Sequence, residues 1–206
     1  MKILLILVLI SVIAVPAMAT NIPDPDMSYV IWAYEGTDPV TLLNFPDGGG
    51  ASFVEVRDQA GTVFDGTITI VVLDHYGNPV PDFPREDIYL LSDDGGMVPC
   101  MGGTRPDENT DFNGMSHWIN PLHACGNSLG FCEVMIMGTV VNHPPLALRF
   151  NSPDINGDGS VNLMDVGLFS IPFYGGYDFT ADLHHDGVLN LADVSRLAQG
   201  SGVTCP

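Results

Sequence analysis

The sequence predicts a mainly β protein, with an antiparallel sandwich over residues 28–151 and a small α-helical module over residues 152–206. Three observations predict it. Short period-two runs recur between residues 29 and 150, separated by turns that draw on 23 Gly and 16 Pro. From Pro153 an acidic loop followed by apolar residues at helical spacing replaces that alternation, and this unit is written twice. Finally, 206 residues that are 46% hydrophobic suffice for one substantial core and a smaller companion, which excludes a disordered acidic tail.

The N-terminus reads as a secretory signal peptide over residues 1–19. Met1-Lys2 is a basic start, residues 3–15 are apolar apart from Ser11, and Ala17-Met18-Ala19 is a small-x-small cleavage pattern. The apolar run falls short of the roughly 20 residues that span a bilayer, so no membrane span is expected in the mature chain. The expected location is extracellular or at the cell surface. Residues 20–27, with Pro23 and Pro25, read as an extended leader. Without Lys2 the chain holds five arginines against 25 acidic residues, a balance of −20, which excludes nucleic acid as a partner.

The strands follow in order. In Thr67-Ile68-Thr69-Ile70-Val71-Val72, Ile68, Ile70 and Val72 share one face and the threonines the other, as in a strand buried on one side. Similar runs lie at 29–34, 40–45, 87–91, 115–119, 132–137 and 146–150. Turns separate them at Pro46-Asp47-Gly48, Gly77-Asn78-Pro79, Ser92-Asp93-Asp94-Gly95 and Asn113-Gly114. The stretch Val72-Leu-Asp74-His75-Tyr-Gly77-Asn78-Pro79-Val80-Pro81, with Thr110-Asp111-Phe112-Asn113-Gly114 later, resembles bacterial immunoglobulin-like domains of the invasin type. That resemblance implies an immunoglobulin-like β-sandwich with a structural or spacer role.

Cys100, Cys125, Cys132 and Cys205 are expected to form disulfides in an oxidising compartment. The preferred pairing is Cys100–Cys125 with Cys132–Cys205, and the rival is a local Cys125–Cys132 bridge. Zinc is disfavoured because no C-x-x-C spacing occurs.

The duplicated loop begins at Asp154 and again at Asp182, an offset of 28 residues. Calcium takes six to eight oxygens, and a 12-residue loop supplies them from positions 1, 3, 5, 7 and 12, with a sharp turn at position 6. The first site is therefore Asp154, Asn156, Asp158, Ser160 through its carbonyl, and Asp165. The second is Asp182, His184, Asp186, Val188 and Asp193. An imidazole nitrogen is a poor calcium donor, so two ions are expected with the second site weaker. A transition-metal site at His184-His185 is disfavoured because adjacent residues rarely converge on one ion. Val161 and Leu189, at position 8, are expected to pair the loops back to back.

These loops resemble type I dockerin repeats, each a calcium loop followed by one helix. The resemblance implies a protein partner of the cohesin kind. Positions 10 and 11 depart from the family, being Leu163-Met164 and Leu191-Ala192. Leu163, Met164, Leu168 and Phe169 form an apolar patch, and Asn151-Ser152-Pro153 is a very short connection. Together they lead to the expectation that the helical module packs on the sandwich within one chain.

None of the six histidines sits in a catalytic setting, and no catalytic constellation assembles, so no enzymatic activity is expected. The expected function is secreted, non-catalytic, calcium-dependent protein–protein assembly. The alternative is a carbohydrate-binding or accessory subunit of a polysaccharide-degrading complex, using Trp32, Tyr34 or Trp118 as stacking surfaces.

Overall fold

The computed structural model describes residues 22–206; the expected signal segment lies outside them. In chain order the strands are β1 Tyr29–Trp32, β2 Val40–Leu43, β3 Val56–Arg57, β4 Val63–Phe64, β5 Ile68–Val71 and β6 Ile88–Ser92. They continue as β7 Met97–Pro99, β8 Met115–Trp118, β9 Ala124–Gly126, β10 Cys132–Ile136, β11 Thr139–Val140 and β12 Leu148–Asn151. Two helices follow, α1 Leu163–Gly175 and α2 Leu191–Gly200. The protein is thus mainly β, with the helices confined to the C-terminal part.

The strands form four small sheets, in the orders β1-β5-β8, β11-β10-β6, β12-β2-β3-β4 and β7-β9. Every pair is antiparallel except β12 with β2, which run parallel with Leu148 opposite Val40 and Asn151 opposite Leu43. This corrects the all-antiparallel expectation. A parallel pair needs a long crossover, and here the whole intervening β region supplies it. The expected alternation holds in β5, where Ile68 and Ile70 are buried beside Val72. They share a core with Phe53, Trp118, Leu148 and Phe150.

Strand β2 is buried on both faces. Val40 and Leu42 point into the β core. On the other face Leu43, continued by Phe45, packs with Val161, Phe169, Ala181, Leu183 and Leu197 of the C-terminal part. Each large side chain removed from water in this way contributes roughly 1.5–3 kcal/mol. Phe169 and Leu197 of the helical part therefore find their cover on the β region. The connection is buried too, at Asn151, Ser152 and Pro153. Backbone approach is close at this seam: a Cβ at Gly187 (φ +75°) would stand 3.1 Å from the Gln59 carbonyl oxygen.

The cysteines pair differently from the expectation. Cys100 bonds Cys205 across a separation of 105 residues, while Cys125 and Cys132 are buried thiols. The cause is the C-terminal segment, which lies along the first loop. Val161 N–H donates to the Val203 carbonyl (2.9 Å), Gly202 N–H to the Val161 carbonyl (2.9 Å) and Cys205 N–H to the Gly159 carbonyl (2.8 Å). That pairing carries Cys205 to Cys100. Cys132 lies in the β core, away from the C-terminal segment. Cys125 stays close to the bond, the sulfurs of Cys100, Cys125 and Cys205 all lying within 4.8 Å of one another. Burial, and then the Asp154 charge, push the Cys125 thiol up to about 12, so it is protonated at neutral pH. The Val161 backbone bonds the C-terminal segment, while Leu189 packs against the hydrophobic cluster that holds the Val161 side chain.

Candidate calcium-binding loops

Each loop runs into a helix through the same device. Asn162 caps α1 by accepting from Met164 N–H (2.8 Å), and Asn190 caps α2 by accepting from Ala192 N–H (2.7 Å). Three residues on, Asp165 and Asp193 return the bond, their Oδ2 atoms accepting the Asn162 and Asn190 N–H groups at 2.9 and 2.8 Å. These are capping boxes with Asp in the third helical position. The N-x-x-D spacing is written in the sequence at Asn162–Asp165 and Asn190–Asp193, and the sequence reading did not use it as a cap.

In the first loop Asp154 Oδ1 accepts the N–H groups of Gly157 (2.9 Å) and Asp158 (3.2 Å), and Oδ2 accepts that of Gly159 (2.7 Å). Asp165 Oδ1 reaches across to Asn156 N–H at 3.2 Å. Asp158 accepts from Ser160 N–H (3.0 Å) and from the Asn156 amide (2.9 Å). The second loop repeats the pattern. Asp182 accepts from Asp186 N–H (3.3 Å) and Gly187 N–H (2.9 Å), while Asp193 Oδ1 accepts from His184 N–H (2.9 Å). Gly159 and Gly187, at position 6, both take positive φ.

The position 1 and position 12 carboxylates are buried: Asp154, Asp165 and Asp193 at 0% exposure and Asp182 at 1%. Among the described residues none of them has a Lys, Arg or His partner within 4.0 Å. Burial, together with the charges of Asp165 and Asp158, raises the Asp154 carboxyl above its ordinary value. Burial, then Asp182 and Asp186, does the same for Asp193. Buried carboxylates are normally paired or bound to metal. Carboxylates are the donor type a hard divalent ion takes, although among the described residues the group of three ligand atoms lying within 4.8 Å of one another is the sulfurs of Cys100, Cys125 and Cys205, not the loop carboxylates.

The loops differ where the sequence differs. His184 contributes its N–H to the cage, and its ring lines a cavity at the seam with Arg196, so position 3 supplies no oxygen. Position 4 is Gly157 in the first loop and His185 in the second, and His185 holds φ +54° without being glycine. The His185 ring stacks on Phe179, with centroids 5.9 Å apart, and burial, then Arg57, pushes its pKa down to about 3. It is therefore neutral at physiological pH. Tyr177, which the sequence reading passed over, donates its hydroxyl to Asp182 Oδ2 at 2.9 Å.

The predicted apolar patch divides. Phe169 enters the shared core, whereas Leu163 is 85% exposed and Met164 64%. They continue along α1 into Ile171 at 69% and Tyr174 at 87%, an uncovered apolar stripe. Trp118 is wholly buried, with its Nε1 donating to the Thr104 carbonyl at 2.9 Å. Trp32 is half-buried beside Tyr34 and donates to the Gly66 carbonyl at 3.1 Å. His117 is a strand residue whose Nδ1 meets the Thr69 hydroxyl at 2.9 Å. No helix among the described residues is long and apolar enough to cross a membrane.

Comparison with family models, with curated proteins and with solved structures returned no match for this chain.

Proposed function

We propose that the chain is a secreted, non-catalytic calcium-binding protein that mediates extracellular or cell-surface assembly. In this reading a dockerin-like module of two calcium loops is seated on an immunoglobulin-like β-sandwich. The observation that carries it is the repeated cage, with two pairs of buried carboxylates in the same hydrogen-bonding frame. Calcium bound in each loop would neutralise carboxylates that otherwise repel one another. It would also hold the capping boxes from which α1 and α2 start. The exposed stripe Leu163, Met164, Ile171 and Tyr174 supports a protein partner of the cohesin kind, because an apolar helix face of this length is costly to leave in water.

The test is affinity purification from spent medium with the mature chain as bait, in calcium and in chelator. A partner retained only in calcium, and lost on Leu163→Asp with the fold intact, bears the reading out. Equal retention in chelator would overturn it. The carbohydrate-binding alternative loses Trp118 as a stacking surface, since that ring lies in the core.

A further inference from the structure

At the seam between the sheet and the second loop lies a cavity of about 110 Å³, partly open to solvent. Thr41 and Arg57 line one side, and His184, His185 and Arg196 the other. Thr41 stands opposite Arg57 on β3 and opposite Arg149 on β12. Directly opposed residues project to the same face, so Arg57 and Arg149 flank Thr41 on the face that the C-terminal part covers.

Three of the chain's five arginines thus meet at one seam, in a protein with 25 acidic residues. The other two are placed differently: Arg85 and Arg105 both lie near Glu86, at 3.6 and 3.5 Å. Arg57, Arg149 and Arg196 have no carboxylate within 4.0 Å among the described residues. Arg57 donates to the Gly61 carbonyl at 3.4 Å, and Arg196 to the Gln199 side chain at 3.1 Å. A guanidinium carries five N–H donors in a planar fork, so most of this capacity is unspent. The one acid lining the cavity, Glu55, is engaged by the Ser52 hydroxyl at 3.1 Å. His185, only 4% exposed, lines the cavity as well, and its Nε2 is buried with no partner in the protein. Buried polar atoms are rarely left so.

We propose that this cavity is an oxyanion site, in which Arg57 and Arg196 grip a delocalised negative charge beside the Thr41 hydroxyl. At about 110 Å³ it has room for sulfate, phosphate or a single carboxylate group, and an acidic sugar would engage it through its carboxylate. Planar forks on two sides suit such an ion better than a cation, and the same two positive charges oppose a metal at His184-His185.

The experiment follows the arginine Nε–Hε resonances of the calcium-loaded mature chain by NMR. With five arginines and no lysine beyond residue 2, the spectrum is sparse. Sodium sulfate is titrated against sodium chloride at matched ionic strength, and sulfate keeps calcium in solution where phosphate would not. The Arg57 and Arg196 signals move together on a saturable curve in sulfate, and those of Arg85 and Arg105 do not. Sodium glucuronate in a parallel arm distinguishes a sugar carboxylate, which reproduces the curve, from an inorganic oxyanion, which alone gives it. Arg57→Gln weakens the response at Arg196 at least tenfold, and Arg85→Gln leaves it intact. Should Arg57→Gln fail to fold, Arg196→Gln read at Arg57 replaces it. Shifts at all five arginines that track ionic strength alone, or a saturable response surviving both variants, would overturn the site.

Discussion

Asn151, the last residue of β12, donates its side-chain amide to the main-chain carbonyl of Asp182, the first residue of the second loop, at 3.1 Å. The same amide donates to the Phe179 carbonyl at 2.7 Å. A single side chain thus ties the end of the β region to the start of a loop 31 residues away. Replacing it by alanine leaves the Asp182 carbonyl without its donor, while the Phe179 carbonyl keeps the Asp182 N–H at 3.1 Å. Asn151→Ala is expected to cost about 1–3 kcal/mol, read as a lower denaturant midpoint with an unchanged slope. An unchanged midpoint would show that the tie is incidental.

Calorimetry should resolve two calcium sites, with affinities on the order of 10⁻⁴ M or tighter. Asp154→Asn should remove the tighter one and Asp182→Asn the weaker. His184→Asp adds an oxygen donor at position 3 and should tighten the weaker site by about tenfold. Chelation should reduce the helical circular-dichroism signal and open residues 152–200 to protease while the β region persists. A single class of equal sites would refute the assigned inequality.

Disulfide mapping should find Cys100 joined to Cys205, with Cys125 and Cys132 alkylated only after unfolding. Because this bond closes a loop of about a hundred residues, its loss should cost about 2–5 kcal/mol. In Cys205→Ser the nearby Cys125 sulfur becomes the available partner, and a Cys100–Cys125 bond should appear on oxidation. Recovering free Cys100 from that variant would argue against the three-sulfur arrangement.

Asp94 supplies a pH dependence that does not involve the loops. Burial opposes its charge, but donors from Gly96, Ser128 and Gly130 outweigh burial and lower its pKa to about 2. A carboxyl held below its unfolded value stabilises the fold above that value, and the contribution disappears as pH falls through the folded one. Asp94→Asn should therefore lower stability at pH 7 by about 1 kcal/mol, discounted because the carboxylate is solvent-exposed. The gap between variant and parent should close between about pH 4 and pH 2. A constant gap across that range would refute the assignment.

How much of this was legible in the sequence depends on how local each feature is. Ile68 and Ile70 announced β5 because alternation is written into neighbouring residues. The two cages were equally readable, since Asp154 and Asp165 lie within one short loop. The disulfide was not, because it depends on where the C-terminal segment lands, and that is decided by its pairing with Gly159 and Val161. The parallel pairing of β2 with β12 was hidden for the same reason. Leu43 and Phe45 read as ordinary strand residues, and their outward burial follows only from what Phe169 and Leu197 lack elsewhere. The short strands β3, β4 and β11, two residues each, carry too few positions for a period to show.

The helical part is fastened to the β region at both of its ends, by the peptide chain at Ser152 and by the bond from Cys205 to Cys100. Tension applied through anything that grips α1 is therefore shared between two covalent routes. Prising the loops apart could stretch or unwind the segment between those anchors, but could not detach it without breaking a bond. Such a coupling resists separation under load, where a single flexible tether would pay out.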